Sequence, residues 1–270
     1  MTPQEQFIME RRYLKSVTPA TVTWYEQAFK RFDGALDSRA GVIQRIGELK
    51  ERGLSIVSVN CHLRVCNAFW KWNGQDIRIP RLKEEQKILA TFGPEHIKAL
   101  MDWKPVGSNQ ARAHTMGLVA LDSGLRVSEM LGLPRQNVDF DNLVLRVQGK
   151  GNKQRLVPMS VELRKSLYRY LGKHNHARVF ATRTGTAVTV RNSERDFKVM
   201  CRKAGIEGGR CSWHTLRHTF AVNYLRAGGN LYYLQRTLGH SSITTTERYL
   251  RSLGIDDLKK VHDGLSLLSK

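Results

Sequence analysis

The stretch Asn142–Met159 reads NLVLRVQGKGNKQRLVPM, and its pattern decides the fold class. From Asn142 to Val147 polar and apolar residues alternate, the period of a strand with one face buried. Gly149 to Gln154 is a turn rich in glycine and lysine. Arg155 to Met159 can then pair back as a second strand, with Lys150 at the hairpin tip. Around this hairpin the periodicity is helical. Upstream, Gly93-Pro94 opens a helix; downstream, helices are expected over residues 160–172, 190–204, 213–227 and 230–239. Ile255, Leu258, Val261 and Leu265 repeat at helical spacing in the last stretch, Gly254 to Lys270. The class is therefore mainly α with a small antiparallel β-sheet (α+β).

The first 80 residues contain helices only. A short one covers residues 4–14, and Thr18-Pro19 then supplies an N-cap and a proline in the first turn of the next. Tyr25, Phe29 and Phe32 follow at helical spacing up to Gly34. A third helix runs from Asp37 to Gly53, and a fourth begins near Ser55, carries Val59, Leu63, Cys66, Phe69 and Trp70 on one face, and stops at Gly74. This reads as a small bundle in which Trp24, Phe29, Phe69, Trp70 and Trp72 pack rather than stack on bases. From Ile77 to Phe92 the text is irregular and charged, as in a basic connector. The division is a helical domain over 1–80, a linker over 81–92 and a second domain over 93–270 with a helical tail at 254–270.

The 270 residues hold 44 Lys and Arg against 24 Asp and Glu, a formal charge of +20. Residues 1–90 contribute 15 basic and 10 acidic side chains (+5), and residues 91–270 contribute 29 and 14 (+15), so most of the excess lies in the second part. Such a surplus suits a polyanion, because each phosphate neutralised releases condensed counterions. With 41% hydrophobic and 25% charged residues the chain can build real cores, which excludes a disordered or collagen-like protein. No apolar run approaches the roughly 18 residues of a membrane span, and the start MTPQEQFIMERRY is too polar for a signal peptide, so no membrane partner and a cytoplasmic location are expected. Four cysteines, Cys61, Cys66, Cys201 and Cys211, lack zinc-site spacing and read as reduced thiols. His174-Asn175-His176 reads as a loop rather than a nuclease signature, and Gly149-Lys150-Gly151 is no phosphate-binding P-loop, since G-x-x-x-x-G-K-[ST] is absent.

Chemistry gathers elsewhere. In WHTLRHTFA, residues 213–221, His214 and Arg217 are three apart on a helix and share a face. Downstream, TLGHSSITTTERYL places Tyr249 nine residues after His240; upstream, SGLRVSE places Arg126 just after a glycine that can end one helix and let the next begin. With Lys150, the inventory is two arginines, two histidines, a lysine and a tyrosine, without a carboxylate cluster. That set fits phosphate chemistry with no metal and no cofactor. Arg126 and Arg217 can clamp the nonbridging oxygens of a pentacoordinate phosphorus by charge-assisted hydrogen bonds. A phenol with an ordinary pKa near 10 needs a base or a positive field to attack, and His214 with the arginines can supply one. Tyr249 is the candidate nucleophile, Lys150 the general acid for the departing 5′ oxygen, and His240 a further donor to the same phosphate.

The order Arg126, Lys150, His214-x-x-Arg217, His240, Tyr249 resembles the tyrosine recombinase (phage integrase) family. The likeness spans residues from about 4 to 265, through TPATVTWYEQAFKRF, GKGNKQRLVP, HTLRHTFA and LGHSSITTTERY, and every catalytic position of the family pattern is filled. It implies a two-domain clamp on DNA, a helical core-binding domain followed by a catalytic domain. It also implies that Tyr249 attacks the scissile phosphate, forms a 3′-phosphotyrosyl bond and frees a 5′ hydroxyl that attacks the partner duplex through a Holliday junction. The ester conserves bond energy, so ATP and Mg²⁺ are not needed. Glu129 resembles the family's acidic neighbour of the first arginine and reads as the group that fixes that side chain. His218 reads as a packed helix residue, Lys153 and Arg155 as phosphate or hairpin contacts, with Lys153 the rival of Lys150 as acid.

The resemblance further implies a homo-tetramer on two double-stranded core sites, two protomers active at once, in which the amphipathic tail docks on a neighbour; the plain alternative is that it packs on its own domain. The chain starts almost directly in its first helix, so a simple Xer-like recombinase without an arm-binding domain is expected. Accessory DNA-bending or directionality proteins stay open. Two other readings compete: a type IB topoisomerase-like nicking-closing enzyme, and a basic DNA-binding module without activity, for which residues 223–249 can pass as a helix-turn-helix.

Overall fold

A computed structural model of the chain describes residues 1–85, 89–149, 154–207 and 210–265; at 260, 261, 264 and 265 only the backbone is described. The hairpin tip, with Lys150 and Lys153, lies outside the described residues. The chain forms two compact units, Met1–Lys87 and Ile88–Lys270.

The first unit is four helices, α1 (Pro3–Leu14), α2 (Pro19–Arg31), α3 (Arg39–Glu51) and α4 (Ile56–Trp72). Each starts on a hydroxyl N-cap, Thr2, Thr18, Ser38 and Ser55, whose oxygen accepts a backbone N–H of the first turn. Phe7 is the centre of the core: its ring meets Tyr25, Phe29, Phe69 and Trp72 at centroid distances of 5.4 to 5.9 Å. Trp70 is fully buried, and its indole N–H donates to Leu36 O at 2.8 Å, so the polar end of the ring is satisfied. Phe29, Phe69 and Trp70 belong to this core, and Trp24 and Trp72 pack against it. Part of the segment read as a connector is tied to α4. Asn67 exchanges two hydrogen bonds with the Ile79 backbone (3.0 and 2.9 Å) and Asn60 two with Leu82 (2.8 and 2.9 Å), each side-chain amide acting as a strand partner would.

The second unit runs α5 (Pro94–Asp102), α6 (Ser108–Ser123), α7 (Val127–Leu131), β1 (Val138–Asp139), β2 (Val144–Gln148), β3 (Gln154–Pro158), α8 (Val161–Leu171), α9 (Val190–Lys203), α10 (Trp213–Arg226), α11 (Leu231–Leu238), α12 (Ile243–Glu247) and α13 (Ile255–Leu265). The sheet is antiparallel in the order β1-β2-β3, with Leu145 opposite Val157 and Val147 opposite Arg155. Leu145, Val147 and Val157 turn into the core and Leu156 to solvent. The strand expected from Asn142 begins two residues later. Asn142 N–H donates to Asp139 Oδ1 at 3.0 Å and Leu143 takes φ +55°, so these residues make the turn out of β1, a strand too short for periodicity to reveal.

Helix α6 is the axis of this unit, packed by α8, α9 and α10. Met116, Val119, Phe197 and Trp213 are buried around it, the last two with ring centroids 4.3 Å apart. Burying side chains of this size stabilises by about 1.5–3 kcal/mol each. A separate apolar cluster, Ala221, Val222, Leu225, Leu234 and Leu238, joins α10 to α11 and includes Tyr249. The tail begins against its own unit, where Arg226 Nε lies 3.2 Å from Asp257 Oδ2. His174 and His176 sit in a loop with stacked rings 4.8 Å apart. Among the described residues no helix is long and apolar enough to cross a membrane.

Candidate active site

Two glycines build the floor of the site. Gly124 ends α6 at φ +62°, and a Cβ there would fall against the Phe220 ring and 2.8 Å from Leu238 Cδ2. Because the chain turns so tightly, Arg126 emerges as the residue before α7 while Gly124 O stays free to accept from Arg217 Nη1 at 2.6 Å. Gly239 ends α11 at φ +64° and leaves the Leu238 carbonyl uncovered. Both guanidiniums use that one oxygen, Arg217 Nη2 at 2.8 Å and Arg126 Nη1 at 3.2 Å. Backbone carbonyls thus aim two arginines at one point, although they lie 91 positions apart in sequence.

Their carboxylate is Glu129. Its oxygens accept from Arg126 N and Nη1 and from Arg155 Nη1 and Nη2, all at 2.9 Å. Burial pushes this carboxyl up, but the hydrogen bonds from Arg155 and from the Arg126 backbone, with both positive charges, outweigh it and hold the pKa below the ordinary value. Glu129 therefore does fix Arg126. Arg155 is more than a hairpin contact: it leaves β3, donates to Thr237 O at 2.9 Å and passes so close to Gly239 that a Cβ there would stand 2.9 Å from its guanidinium. It braces the base of the hairpin against α7 and α11.

Helix α10 starts at the Ser212 cap and presents His214, Arg217 and His218 to the site. Arg217 is only 4% exposed, and burial followed by the charge of Arg126 lowers it to about 10. His240 Nε2 lies 2.9 Å from Arg217 Nη2 and its Nδ1 2.8 Å from Thr246 Oγ1. Burial, then Arg217, Arg126 and Arg155, lower His240 to about 4, so its ring is neutral at pH 7. Tyr249 is 4% exposed, its ring nearly parallel to that of His240 at 6.2 Å. Its hydroxyl lies 3.3 Å from His218 Nδ1, and His218 is itself lowered to about 4 by burial and then by His214 and Arg248. Burial raises the Tyr249 phenol, against the opposing pull of Arg217, Arg248 and Arg126. In the free chain the cationic field does not ionise it.

Arg126, His214, Arg217, His240 and Tyr249 accordingly line one pocket, together with Arg248. Lys150 lies outside the described residues. The arrangement is a cluster of positive charge, with Arg217 buried and Arg126 partly exposed, opposed among the described residues by Glu129 and with a phenol at its edge; paired guanidiniums of this kind suit an anion with two acceptor oxygens, such as a phosphodiester. Sequence reasoning passed over His218 as a phenol partner; the signal was its place one turn after His214. It also passed over Thr246, which no local pattern marks. Among the described residues no three His, Cys, Asp or Glu side chains group as a metal would require.

Comparison with known proteins gives the same direction. The phage integrase family matches residues 90–254. The chain is similar to tyrosine recombinase XerC of Chlamydia caviae, 38% identical over 183 residues that make up 65% of this chain and 58% of that protein. It thus spans less than two thirds of that relative's length. It is also similar to tyrosine recombinase XerA of Thermococcus kodakarensis, 27% identical over 95% of this chain and 93% of that one. Among solved structures, the Tn1549 transposon integrase in complex with transposon right end DNA superposes with a TM-score of 0.79 at 20% identity, over 98% of this chain and 99% of that one. A crystal structure of XerA recombinase gives 0.57 at 22% identity over 97% of both.

Proposed function

Because the chain belongs to the phage integrase family, the tyrosine recombinases, we propose that it is a site-specific DNA recombinase that cuts and rejoins duplex DNA through a 3′-phosphotyrosyl intermediate and a Holliday junction. The observation that carries this reading is the meeting of Arg126, His214, Arg217, His240 and Tyr249 in one pocket. The scissile phosphate enters between the two guanidiniums, replacing contacts they now make to Leu238 O and to each other's surroundings with bonds to its nonbridging oxygens. The Tyr249 oxygen forms a bond to phosphorus as the bond to the 5′ oxygen breaks; the phenol's proton passes to His218 Nδ1, 3.3 Å from its hydroxyl, and Lys150 protonates the departing oxygen. His214 and His240 add hydrogen bonds to the phosphate. The 5′ hydroxyl of the partner duplex then reverses the step, so no ATP and no metal ion is consumed.

The same reading makes residues 1–80 a core-binding domain and 93–270 the catalytic domain, joined through 81–92 into a clamp on double-stranded core sites. Four copies act on two sites, two at a time, with α13 leaving α10 to dock on a neighbour. We place the protein with DNA in the cytoplasm. A type IB topoisomerase shares the chemistry but not the outcome. Incubation with a nicked suicide duplex is expected to trap a covalent adduct, and paired target sites to exchange strands. Relaxation of supercoils on any DNA, without exchange, would assign the chain to the topoisomerase class; binding without any adduct would make it a DNA-binding module.

A further inference from the structure

Behind the pocket lies a buried hydroxyl to which the reaction above gives no part. Thr246 is completely buried in α12, and it serves two neighbours: its carbonyl accepts from Tyr249 N at 3.0 Å, and its Oγ1 lies 2.8 Å from His240 Nδ1. The roles in the second contact follow from the third partner. A guanidinium only donates, so the 2.9 Å contact of Arg217 Nη2 with His240 Nε2 requires a lone pair on Nε2. A neutral imidazole with its lone pair on Nε2 carries its proton on Nδ1, and that proton points at Thr246 Oγ1. Gln235 fixes the same residue through its backbone, accepting from His240 N at 3.1 Å and donating from Nε2 to His240 O at 3.1 Å. Ring rotation is thus the freedom left to His240, and the threonine hydroxyl removes it.

We propose that Thr246 is a positioning residue for the strand-cleavage step: by accepting a hydrogen bond from His240 Nδ1–H it fixes, together with Arg217, the tautomer and ring plane that turn Nε2 toward the arginine pair, where the scissile phosphate is bound. The inference rests on the recombinase reading of the site. When a phosphate oxygen draws Arg217 away, Nε2 is left facing an anion; the ring picks up a proton from the solvent buffer to become imidazolium and donates a hydrogen bond from Nε2–H to that oxygen, while Nδ1–H goes on donating to Thr246 Oγ1. The groups that bear on this ring are Arg217 of α10, Arg126 before α7, Arg155 of β3 and Glu129 of α7, and only the last opposes the three cations. A ring free to flip would offer a carbon to the phosphate half of the time. Acceptors one step behind metal-ligating histidines change activity by roughly 10- to 100-fold when removed, and a loss of the same order is expected here.

The test uses the full chain with nitrogen-15-labelled histidine. In the wild type, long-range nitrogen–proton spectra are expected to show His240 as the Nδ1–H tautomer at neutral pH, with that proton slow to exchange; Thr246→Ser keeps both, and Thr246→Val, which leaves Nδ1–H without its acceptor, loses the protection. On a suicide duplex, Thr246→Val is expected to form adduct at least about 10-fold more slowly with DNA binding unchanged, and Thr246→Ser to recover most of the rate. An Nε2–H tautomer in the wild type overturns the proposal even if the valine variant does not fold. So does a folded Thr246→Val variant that cleaves at the wild-type rate. Failure of the wild type to form any adduct sinks the recombinase reading instead, and leaves the tautomer to be decided by the spectra.

Discussion

Glu129→Gln isolates the carboxylate that, among the described residues, faces the arginines of the site. The side chain keeps its volume but loses its charge, and its amide nitrogen must replace one of two oxygens that together accept four hydrogen bonds at 2.9 Å. Two of the four are lost, and a donor is set against a guanidinium. Hydrogen bonds to charged groups contribute about 1.5–3 kcal/mol each, so two amount to about 3–6 kcal/mol. Removing one partner of a buried ion pair costs about 3–5 kcal/mol, which agrees. The measurement is urea unfolding, with hydrogen exchange in α7 and α10 reporting on the second unit. A loss of about 3–5 kcal/mol is expected at pH 7. The sign with pH is fixed by linkage: the folded pKa of Glu129 lies below its ordinary value of 4.5, so its contribution is present above that value and is lost as pH falls through the lowered one. The gap between wild type and variant should therefore close in acid. Sulfate, a divalent anion of the right shape for paired arginines, should restore part of the loss at ionic strengths where chloride does not. A variant within about 0.5 kcal/mol of wild type at pH 7 would refute the claim that this carboxylate holds the arginine cluster together.

The other expectations concern neighbouring parts of the site. Gly239→Ala puts a side chain at φ +64° and 2.9 Å from the Arg155 guanidinium. It should cost about 1–3 kcal/mol and slow adduct formation, and an unchanged melting temperature would contradict the close approach. His218 and His240, each lowered to about 4 from 6.5, are neutral when folded and charged when unfolded near pH 5. Stability of the free chain should accordingly fall as pH drops from 6.5 toward 4, and the imidazole resonances should not titrate above pH 5; titration near 6.5 in either ring would remove the buried cationic environment from the argument. Lys150→Ala should block cleavage of an ordinary phosphodiester and recover on a substrate whose 5′ bridging oxygen is sulfur, since a thiolate leaves without a proton. Absence of recovery would move the acid to Lys153.

Much of the fold was legible because its boundaries are chemical. Thr18-Pro19, Ser55 and Gly93-Pro94 announce helix starts, and the pattern through Asn142–Val147 and Arg155–Met159 announces the hairpin, whose strands run Val144–Gln148 and Gln154–Pro158. What escaped was short or irregular: two-residue β1, the left-handed Leu143, and α12, whose three consecutive threonines have low helix propensity and are held by their surroundings. The site divides in the same way. Arg126 after its glycine and the His214-x-x-Arg217 pair are local patterns. The Leu238 carbonyl that gathers both arginines, the reach of Arg155 to Glu129 and the contact of His218 with Tyr249 join residues 21 to 112 positions apart. Contacts of that range leave no periodicity to read. The sequence points to His214 and the arginines as the base or field for the phenol; Arg217 does bear on it, and His218 also comes within hydrogen-bonding reach, because α10 turns both histidines to one face and the turn after α12 brings Tyr249 beneath the second.

The most direct test is to identify the amino acid that holds the DNA. The full chain is incubated with a suicide duplex, the trapped complex is digested with nuclease and protease, and the peptide carrying residual phosphonucleotide is sequenced by mass spectrometry. The expected result is a 3′-phosphate ester on Tyr249, formed in EDTA and absent from Tyr249→Phe, which still binds the duplex. An adduct on any other side chain, or an adduct that survives the Tyr249→Phe change, would contradict the assignment of this phenol as the nucleophile.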